Sequence, residues 1–185
     1  MPDEEAPQYA RVRRSDRAVD DDGWIAAFLR TAPIGQLATV QDGQPFVNSN
    51  LFVFDEAQRV IYMHTAGAGR TRSNVEGDER VCFSASEMGR LLPNPRMFNM
   101  SVEYAGVVVF GRAHTVPGDA EKRSALRMLV DKYFPHLRAG DDYALPSQSE
   151  LNATSVYRIE IESWSGKRKQ VEGDAPGAFR YAPRQ

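Results

Sequence analysis

The sequence predicts a mainly β domain of the α+β class, with about six antiparallel strands and two or three flanking helices. Three observations support this fold class. Short apolar or alternating runs recur along the chain, turn residues such as Asp42-Gly43 separate them, and helical periodicity is confined to a few segments. Strands that follow one another without a helix between each pair favour a barrel or a sandwich over a parallel sheet.

The first half of the chain predicts one amphipathic helix and then a series of strands. Three aspartates supply an N-cap for the helix, which carries Trp24, Ile25, Phe28 and Leu29 on one side and ends before Pro33. A hairpin with a central Asp-Gly turn follows the helix. The predicted strands cover residues 34–40, 45–54, 60–63 and 80–85, and a short helix covers residues 71–76.

The second half predicts a loop, a long strand, a helix and a last strand. The apolar run at 107–110 indicates a strand buried on both faces, as in the wall of a closed barrel or a subunit contact. Asp119 caps the predicted helix, which ends at Pro135. The loop covers residues 87–99, the long strand 102–116, an irregular stretch 136–149, the last strand 154–164 and a second, basic turn 165–169.

Composition argues against several classes of protein. The formal net charge of −2 argues against a general nucleic-acid binder. Cys82 is the single cysteine, so no internal disulfide forms, and its apolar neighbours indicate a buried side chain rather than a catalytic thiol. The first residues lack a signal-peptide pattern, and no apolar run approaches the roughly 20 residues that span a bilayer. We therefore expect a cytoplasmic protein without a nucleic-acid or membrane partner.

One domain with a polar segment at each end is expected. The 185 residues are enough for a single core of good size. We expect a flexible N-terminal arm over residues 1–19, one domain over residues 20–170 and a loose C-terminal tail over residues 171–185. The arm contains four arginines, which indicate a solvated segment or one that touches a nucleic acid.

An anion site is predicted where the strand at 60–63 leads into the short helix. The connection is glycine-rich, and two arginines and two hydroxyl residues follow it at the helix start. Unpaired backbone N–H groups, guanidinium groups and hydroxyls together bind phosphate. An ordinary surface turn is the alternative, because the spacing matches neither a P-loop nor a dinucleotide fingerprint. The residues concerned are Gly67, Gly69, Arg70, Thr71, Arg72 and Ser73.

Familiar hydrolytic and metal motifs find no match in the sequence. No serine lies in a Gly-x-Ser-x-Gly turn, and His64, His114 and His136 are too far apart for a zinc motif. The two basic turns instead suit a flat phosphorylated cofactor that brings its own chemistry. Asn48 and Asn50 are unusual in mid-strand, and they either line a polar cavity or face solvent.

Several strings of the sequence, taken in order, carry a family resemblance. They are residues 34–39, 45–54, 61–66 with 69–71, 80–83, 104–111, and 153–159 leading to 165–168. Together they resemble the pyridoxamine 5'-phosphate oxidase-like split-barrel flavoproteins. Within this class the chain is most similar to the flavin-nucleotide-binding proteins related to the nitroimidazole-resistance proteins.

The resemblance implies a six-stranded split barrel and a homodimer with two FMN molecules in clefts at its interface. The turn after the histidine would hold the FMN phosphate through Arg70, Thr71 and Arg72, with Thr71 where relatives often have lysine. His64 would be a catalytic group beside the flavin, or an ordinary packed histidine at a strand end. The implied cofactor-binding residues are Val47, Asn48, Ser49, Asn50, Met63, His64, Thr65, Arg70, Thr71, Arg72, Gly166 and Lys167.

The function implied by the resemblance is an FMN-binding oxidoreductase. It would act on a small molecule with a nicotinamide or similar electron donor, and reduction of nitro compounds is one candidate reaction. Two alternatives stay open. One is a non-catalytic flavin-binding or sensing protein, and the other is a split-barrel protein that binds a deazaflavin or haem.

Overall fold

The computed structural model describes residues 7–182. The parts of the predicted arm and tail at 1–6 and 183–185 lie outside these residues. Short 3-10 helices occur at Gln8–Ala10, Ser15–Arg17 and Met97–Asn99. The strands are β1 (Ala18–Val19), β2 (Gly35–Gln41), β3 (Gln44–Asn50), β4 (Phe52–Asp55), β5 (Val60–Ala66), β6 (Arg80–Leu92), β7 (Ser101–Thr115), β8 (Thr154–Lys169) and β9 (Phe179–Arg180), and the α-helices are α1 (Asp22–Thr31), α2 (Arg70–Gly77), α3 (Asp119–Tyr133) and α4 (Gln148–Asn152).

One β-sheet organises the described residues. Its main path runs β3-β2-β6-β7-β8-β5-β4, and every pair along it is antiparallel. The short strands β1 and β9 join it from the two chain ends, on β8 and β6. The path ends at β3 and β4, which share no ladder within residues 7–182, so the barrel is open on one side. The predicted mainly β, antiparallel fold class is confirmed.

The β2–β3 hairpin forms as predicted. Asp42 and Gly43 both have positive φ, 52° and 76°, which suits the twist of a two-residue hairpin turn. The predicted single strand 45–54 is wrong, because it breaks at Leu51. β3 pairs with β2 and β4 pairs with β5, so the chain changes its partner strand at this residue.

Two strands run further than predicted. β6 includes residues 87–92, which were assigned to a loop. β8 includes residues 165–169, so the predicted second turn is wrong. Gly166 pairs there with both Val107 and Val19. A Cβ added at Gly166 would lie 3.1 Å from side chains of α1 and β1, so this glycine permits close packing rather than a turn.

Within the described chain β7 is fully buried on one face only, so the predicted burial of its second face in a subunit contact stays a prediction. Val107 and Val109 have no exposed surface, whereas Val108 and Phe110 are half-buried. Tyr9 covers part of the second face, with its ring edge-on to Phe110 and 4.9 Å between centroids. The described part of the N-terminal segment therefore packs on the sheet, while the limits of arm, domain and tail stay predictions.

The helix ends differ in how well the sequence predicted them. Asp21 caps α1 as expected, by accepting bonds from the first backbone N–H groups. Gly118 precedes α3 without a side-chain cap, so the prediction that Asp119 caps this helix is wrong. α4 lies in the stretch predicted to be irregular, and Ser147 and Glu150 form its capping box. Among the described helices, none has the length and apolar character needed to cross a membrane.

The buried apolar side chains form two clusters on either side of β4 and β5. The larger includes the apolar side of α1, with Leu29, Phe52 and Phe83 fully buried. The smaller lies under α3 and includes Val60 and Leu129. Together they fix α1 and α3 against the sheet, and leave the start of α2 and the end of β5 at the open side.

Candidate functional site

The open side of the barrel lies between β3 and β4. The end of β5 borders the same gap, because β4 pairs only with residues 60–63 of that strand. Side chains cross this gap. Asn48 Nδ2 donates to Thr71 Oγ1 at 3.1 Å, and Asn50 Nδ2 donates to the carbonyl oxygen of His64 at 2.5 Å. We call this gap the seam, and define it by Asn48, Asn50, His64, Arg70 and Thr71.

Alternate residues of β3 point to opposite sides of the sheet. Asn48 and Asn50 lie opposite buried residues of β2 and are half-buried, so they face the inside of the barrel. Val47 and Ser49 are exposed on the outer face. The asparagine side chains therefore bond other segments of the barrel instead of facing bulk solvent. The four residues predicted together as cofactor ligands divide between two faces, so their side chains do not converge within one chain.

The start of α2 offers donors without a neighbouring carboxylate. Gly69 precedes the helix with φ of 142°, and none of the described side chains caps the first N–H groups. The first turn contains no acidic residue. Arg70 is exposed, lies 5.1 Å from the ring of Phe46, and has no ion-pair partner among residues 7–182. This arrangement can bind an anion through backbone N–H groups, the helix dipole and a guanidinium group.

Thr71 is the buried part of this anion site. Its residue is 6% exposed, and its hydroxyl oxygen accepts the bond from Asn48. Because the oxygen accepts that bond, the hydroxyl hydrogen is free to donate. The seam asparagine thus orients the threonine hydroxyl next to the helix start.

Arg72, in contrast, is bound to the protein itself. Its Nη1 donates to the carbonyl oxygen of Gly67 at 2.8 Å and lies 3.4 Å from Ser155 Oγ. Its Nε donates to Glu76 Oε1 at 2.7 Å, one helical turn away. Arg72 therefore braces the glycine-rich connection against α2 and β8. Its predicted role as a phosphate ligand stays a prediction, and Arg70 is the better placed of the two arginines.

His64 lies at the end of β5 with a half-buried side chain. This burial lowers the pKa of His64 below its usual value, so the imidazole is neutral at pH 7. A neutral imidazole has one N–H donor and one acceptor nitrogen. Neither nitrogen has a hydrogen-bond partner among the described residues. His64 can therefore hydrogen-bond a ligand or exchange a proton with it.

The side chains of Met63 and Thr65, the two neighbours of His64, do not point into the seam. Met63 is 1% exposed and belongs to the larger core cluster, so its side chain does not reach the seam. Thr65 Oγ1 is 2.8 Å from the hydroxyl of Tyr157 and bonds the carbonyl oxygen of Ala66. Of the three strand-end residues predicted as ligands, His64 is the one whose side chain has free polar atoms.

Gly166 and Lys167 lie far from the seam in one chain. Ser155, which contacts Arg72, is at the start of β8, and Gly166 is near its end. Gly166 lies eleven positions after Ser155, about 36 Å along β8. Lys167 is exposed there, with its Nζ 5.7 Å from the ring of Tyr104. The two basic stretches, both predicted to bind one phosphorylated cofactor, are therefore not brought together within the chain.

The sequence interpretation missed a cavity of about 420 Å³ next to His64. One wall is α3, whose apolar residues have the spacing of an ordinary core-facing helix. The other wall is residues 143–146, from the stretch predicted to be irregular, where no periodicity gives a signal. The apolar lining includes Leu51, Leu126, Leu129, Val130, Leu145 and Pro146.

Comparison with known proteins assigns the chain to a family. The sequence profile of the family described as pyridoxamine 5'-phosphate oxidase matches residues 21–168, which is most of the chain. The chain belongs to this family. The resemblance predicted from the local strings is confirmed. No curated protein matches the sequence.

Solved structures of similar shape support the family fold. The flavocytochrome Anf3 from Azotobacter vinelandii has a TM-score of 0.78 and 23% identity, covering 97% of this chain and 87% of its own. The FAD and heme binding protein from Mycobacterium smegmatis has a TM-score of 0.75 and 20% identity, covering 91% and 88%. A candidate 5-nitroimidazole antibiotic resistance protein from Bacteroides thetaiotaomicron has a TM-score of 0.67 and 18% identity, covering 82% and 86%. At these identities the likeness establishes the split-barrel fold.

Proposed function

We propose that this protein binds a flavin nucleotide, FMN, in the seam and acts as an oxidoreductase on a small molecule with an external electron donor. The observation that carries the proposal is the guanidinium of Arg70, which has no ion-pair partner within residues 7–182, at a helix start that no described side chain caps. This helix start lies opposite the asparagines of β3. Membership of the pyridoxamine 5'-phosphate oxidase family and the flavin named for two structural relatives support it.

The residues of the seam fit a flavin nucleotide. Arg70, the Thr71 hydroxyl and the first N–H groups of α2 would hold the phosphate. The amides of Asn48 and Asn50 would flank the ring system, whose edge carries carbonyl and N–H groups. A bound flavin supplies hydride and electron transfer. The protein would contribute phosphate anchoring, orientation of the ring and exclusion of water from the inside of the barrel.

His64 is the group we propose to handle a proton in the reaction. Its imidazole is neutral, next to the seam, and free of protein hydrogen bonds in the described chain. In that state it can donate a hydrogen bond to developing negative charge, or pass a proton to a substrate atom. Replacing it would lower turnover without lowering the affinity for FMN.

We propose further that the working unit is a homodimer. The outer face of the β2–β3 hairpin exposes Val40 and Val47, 41% and 56% of their surface, which is apolar area that a second copy would cover. The distance between Lys167, near the end of β8, and the seam, beside the start of β8, supports the same idea, because one protomer would bring its lysine to the seam of its partner. Sedimentation of the purified protein at two concentrations tests the oligomeric state.

Haem or a deazaflavin in place of FMN is the second candidate. A neutral histidine beside an apolar cavity is an arrangement that can ligate haem iron, and one structural relative is named for haem as well as FAD. A third candidate is a protein that holds flavin without turnover. The absorption spectrum of the purified protein separates flavin, deazaflavin and haem.

The deciding experiment is FMN titration of the purified protein, followed by stopped-flow reduction with NADH and NADPH. We expect a flavin spectrum, and a stabilisation of about 2.7 kcal/mol when FMN is at 100 times its Kd. A protein whose melting temperature FMN does not raise would overturn the flavin proposal. A bound flavin that neither donor reduces would favour the non-catalytic role.

A further inference from the structure

The cavity of about 420 Å³ runs along one face of α3, opposite residues 143–146. The helix residues that line it recur at helical spacing and include Arg123, Leu126, Val130 and Tyr133. Tyr133 lies ten positions after Arg123, about 15 Å along the helix axis. The cavity is therefore elongated, and its volume falls in the range of small-molecule sites.

The two ends of this cavity differ in chemistry. At one end, Arg123 donates through Nη1 to the carbonyl oxygen of Pro146. At the other end, the hydroxyl of Tyr133 bonds the backbone of Phe52, so Leu51, the preceding residue, lies there. A guanidinium group thus marks one end, and an aliphatic side chain marks the other.

The charge of Arg123 has no counter-ion in the described part of the chain. The residue is half-buried, and its bond to Pro146 goes to a neutral carbonyl oxygen. A guanidinium group has five N–H donors, and this bond uses one of them. A charge-assisted hydrogen bond is strong where apolar groups exclude water. Arg123 can therefore pair with an anion without breaking an ion pair.

Two more charged residues line the cavity, and both are exposed. Arg127 forms an ion pair with Asp131 at 2.8 Å. Glu150 accepts bonds from the hydroxyl and the backbone N–H of Ser147. Water screens charges at such positions. Half-buried Arg123 should therefore decide which charge a ligand carries at its end of the cavity.

Large apolar side chains of the lining remain in contact with solvent. Leu51, Phe134 and Leu145 expose 39%, 47% and 61% of their surface. They come from three separate segments of the chain, and contiguous exposed apolar surface of this kind commonly marks a binding site. An apolar molecule in the cavity would remove part of this surface from water, which favours binding.

We propose that this cavity binds an elongated apolar molecule with one carboxylate group, such as a medium-chain fatty acid. The carboxylate pairs with Arg123, and the hydrocarbon chain lies along α3 towards Leu51. His64 lines the same cavity with a neutral imidazole, so it adds no competing charge. Binding in this cavity does not require a flavin in the seam.

The test compares three probes of equal chain length, octanoate, octanamide and octylammonium, by calorimetric titration of the purified protein at pH 7. We expect octanoate to bind at least tenfold more tightly than octanamide, and octylammonium to bind most weakly. Absence of octanoate binding, or equal affinity for octanoate and octanamide, would overturn the proposal. Tightest binding of octylammonium would make Glu150 the anchor and would overturn it as well.

Variants of two arginines identify the anchor. Arg123→Met should weaken octanoate binding at least tenfold and change octanamide binding less than twofold, which would show that the cavity is intact. Arg123→Lys restores a cation and should keep octanoate affinity within about threefold of the wild type. Arg127→Met makes the same charge change at an exposed, paired position, and should change octanoate affinity less than threefold. Equal losses in Arg123→Met and Arg127→Met would overturn Arg123 as the anchor.

A second pair of variants locates the hydrocarbon chain. Val130→Trp fills the cavity, and should weaken both octanoate and octanamide at least tenfold. Ser124→Trp, at an exposed position of the same helix, is the matched control and should change both affinities less than twofold. Unchanged binding in Val130→Trp would show that the ligand lies elsewhere.

Two further measurements separate this proposal from the flavin proposal. FMN affinity should stay within twofold in Arg123→Met and Val130→Trp, and octanoate binding should persist even if FMN does not bind. Haemin titration is the remaining comparison. A haem spectrum that Val130→Trp abolishes and Ser124→Trp retains would assign the cavity to haem and overturn the fatty-acid proposal.

Discussion

The side-chain amide of Asn50 donates to the carbonyl oxygen of His64 at 2.5 Å, and so joins two strands that share no ladder in the described chain. The same amide accepts a bond from the backbone N–H of Leu51 at 2.8 Å. One side chain therefore fixes both the residue at which the chain leaves β3 and the end of β5. The position of His64 depends on a contact between residues 14 positions apart in the chain.

Replacing Asn50 by alanine should therefore affect both stability and the histidine. Two hydrogen bonds are lost, and the half-buried carbonyl of His64 and the exposed N–H of Leu51 lose their partner, so we expect a decrease of about 1–3 kcal/mol in the free energy of unfolding. Urea denaturation measures it. Ser49→Ala, at the exposed neighbouring position, is the control and should change stability by less than about 0.5 kcal/mol. Equal stability of the two variants would contradict the bridging role of Asn50.

The two arginines at the start of α2 should behave differently. Arg70→Ala removes a guanidinium with no ion-pair partner in the described residues, so we expect FMN affinity to fall at least tenfold, about 1.4 kcal/mol or more, with little change in melting temperature. Arg72→Ala removes the bonds to Gly67 and Glu76, and should lower the melting temperature more than the affinity. FMN titration and thermal unfolding of both variants measure this. The reverse pattern would place the phosphate at Arg72.

Lys132 should be important for stability although it is far from the seam. Its Nζ donates to the carbonyl oxygens of Leu29, Ala32 and Phe52 at 3.4, 2.9 and 3.0 Å, and so ties α3 to the end of α1 and to β4. Lys132→Met keeps the aliphatic stem but removes a donor from each of these carbonyls, and among the described residues Phe52 alone keeps another, the hydroxyl of Tyr133, so the free energy of unfolding should fall by about 1–3 kcal/mol. Lys122→Met on the same helix is the control, and should leave the free energy of unfolding, measured by chemical denaturation, nearly unchanged.

The pair of Arg90 and Glu103 should make the free energy of unfolding depend on pH in the acid range. The hydrogen bond from Arg90, with help from the backbone N–H of Val171, lowers the pKa of Glu103 from 4.5 to about 2. The folded protein therefore binds fewer protons than the unfolded chain between these values, so the stabilisation is complete above pH 4.5 and is lost as the pH falls towards 2.

The variant Glu103→Gln isolates this effect. Its stability should fall less steeply than that of the wild type between pH 4.5 and 2, while an exposed control, Glu87→Gln, should follow the wild type. Denaturant midpoints at several pH values give the comparison. Parallel curves for all three proteins would mean that Glu103 does not titrate with the expected shift.

Local patterns were enough to predict much of the fold. The Asp42-Gly43 turn and the Asp21 cap of α1 depend on residues next to each other in the chain, and both form as expected. Gly166 shows where local reading fails. In sequence it is a glycine within a basic stretch, typical of a turn, and the packing of α1 and β1 that requires a glycine there is visible only in three dimensions.

For the candidate site, too, the sequence predicted one part and not the other. The start of α2 was predicted from its glycines and arginines, and the i, i+4 spacing of Arg72 and Glu76 could have separated the bound arginine from the free one. Asn48 and Asn50 could not be assigned, because their partners come from distant segments. The cavity beside His64 depends on residues 143–146, and no periodic pattern in the sequence predicts where this segment lies.

The seam also decides how a ligand can reach the inside of the barrel. Elsewhere the sheet is joined by continuous ladders, and parting β7 from β8 would break a long series of backbone bonds. At the seam, two amide side chains join the edges in the described chain. Separating the edges therefore costs the free energy of these two hydrogen bonds, about 1–3 kcal/mol. A transient opening of this kind would admit a ligand to the inside of the barrel, and a molecule bound across the seam would stabilise the closed state.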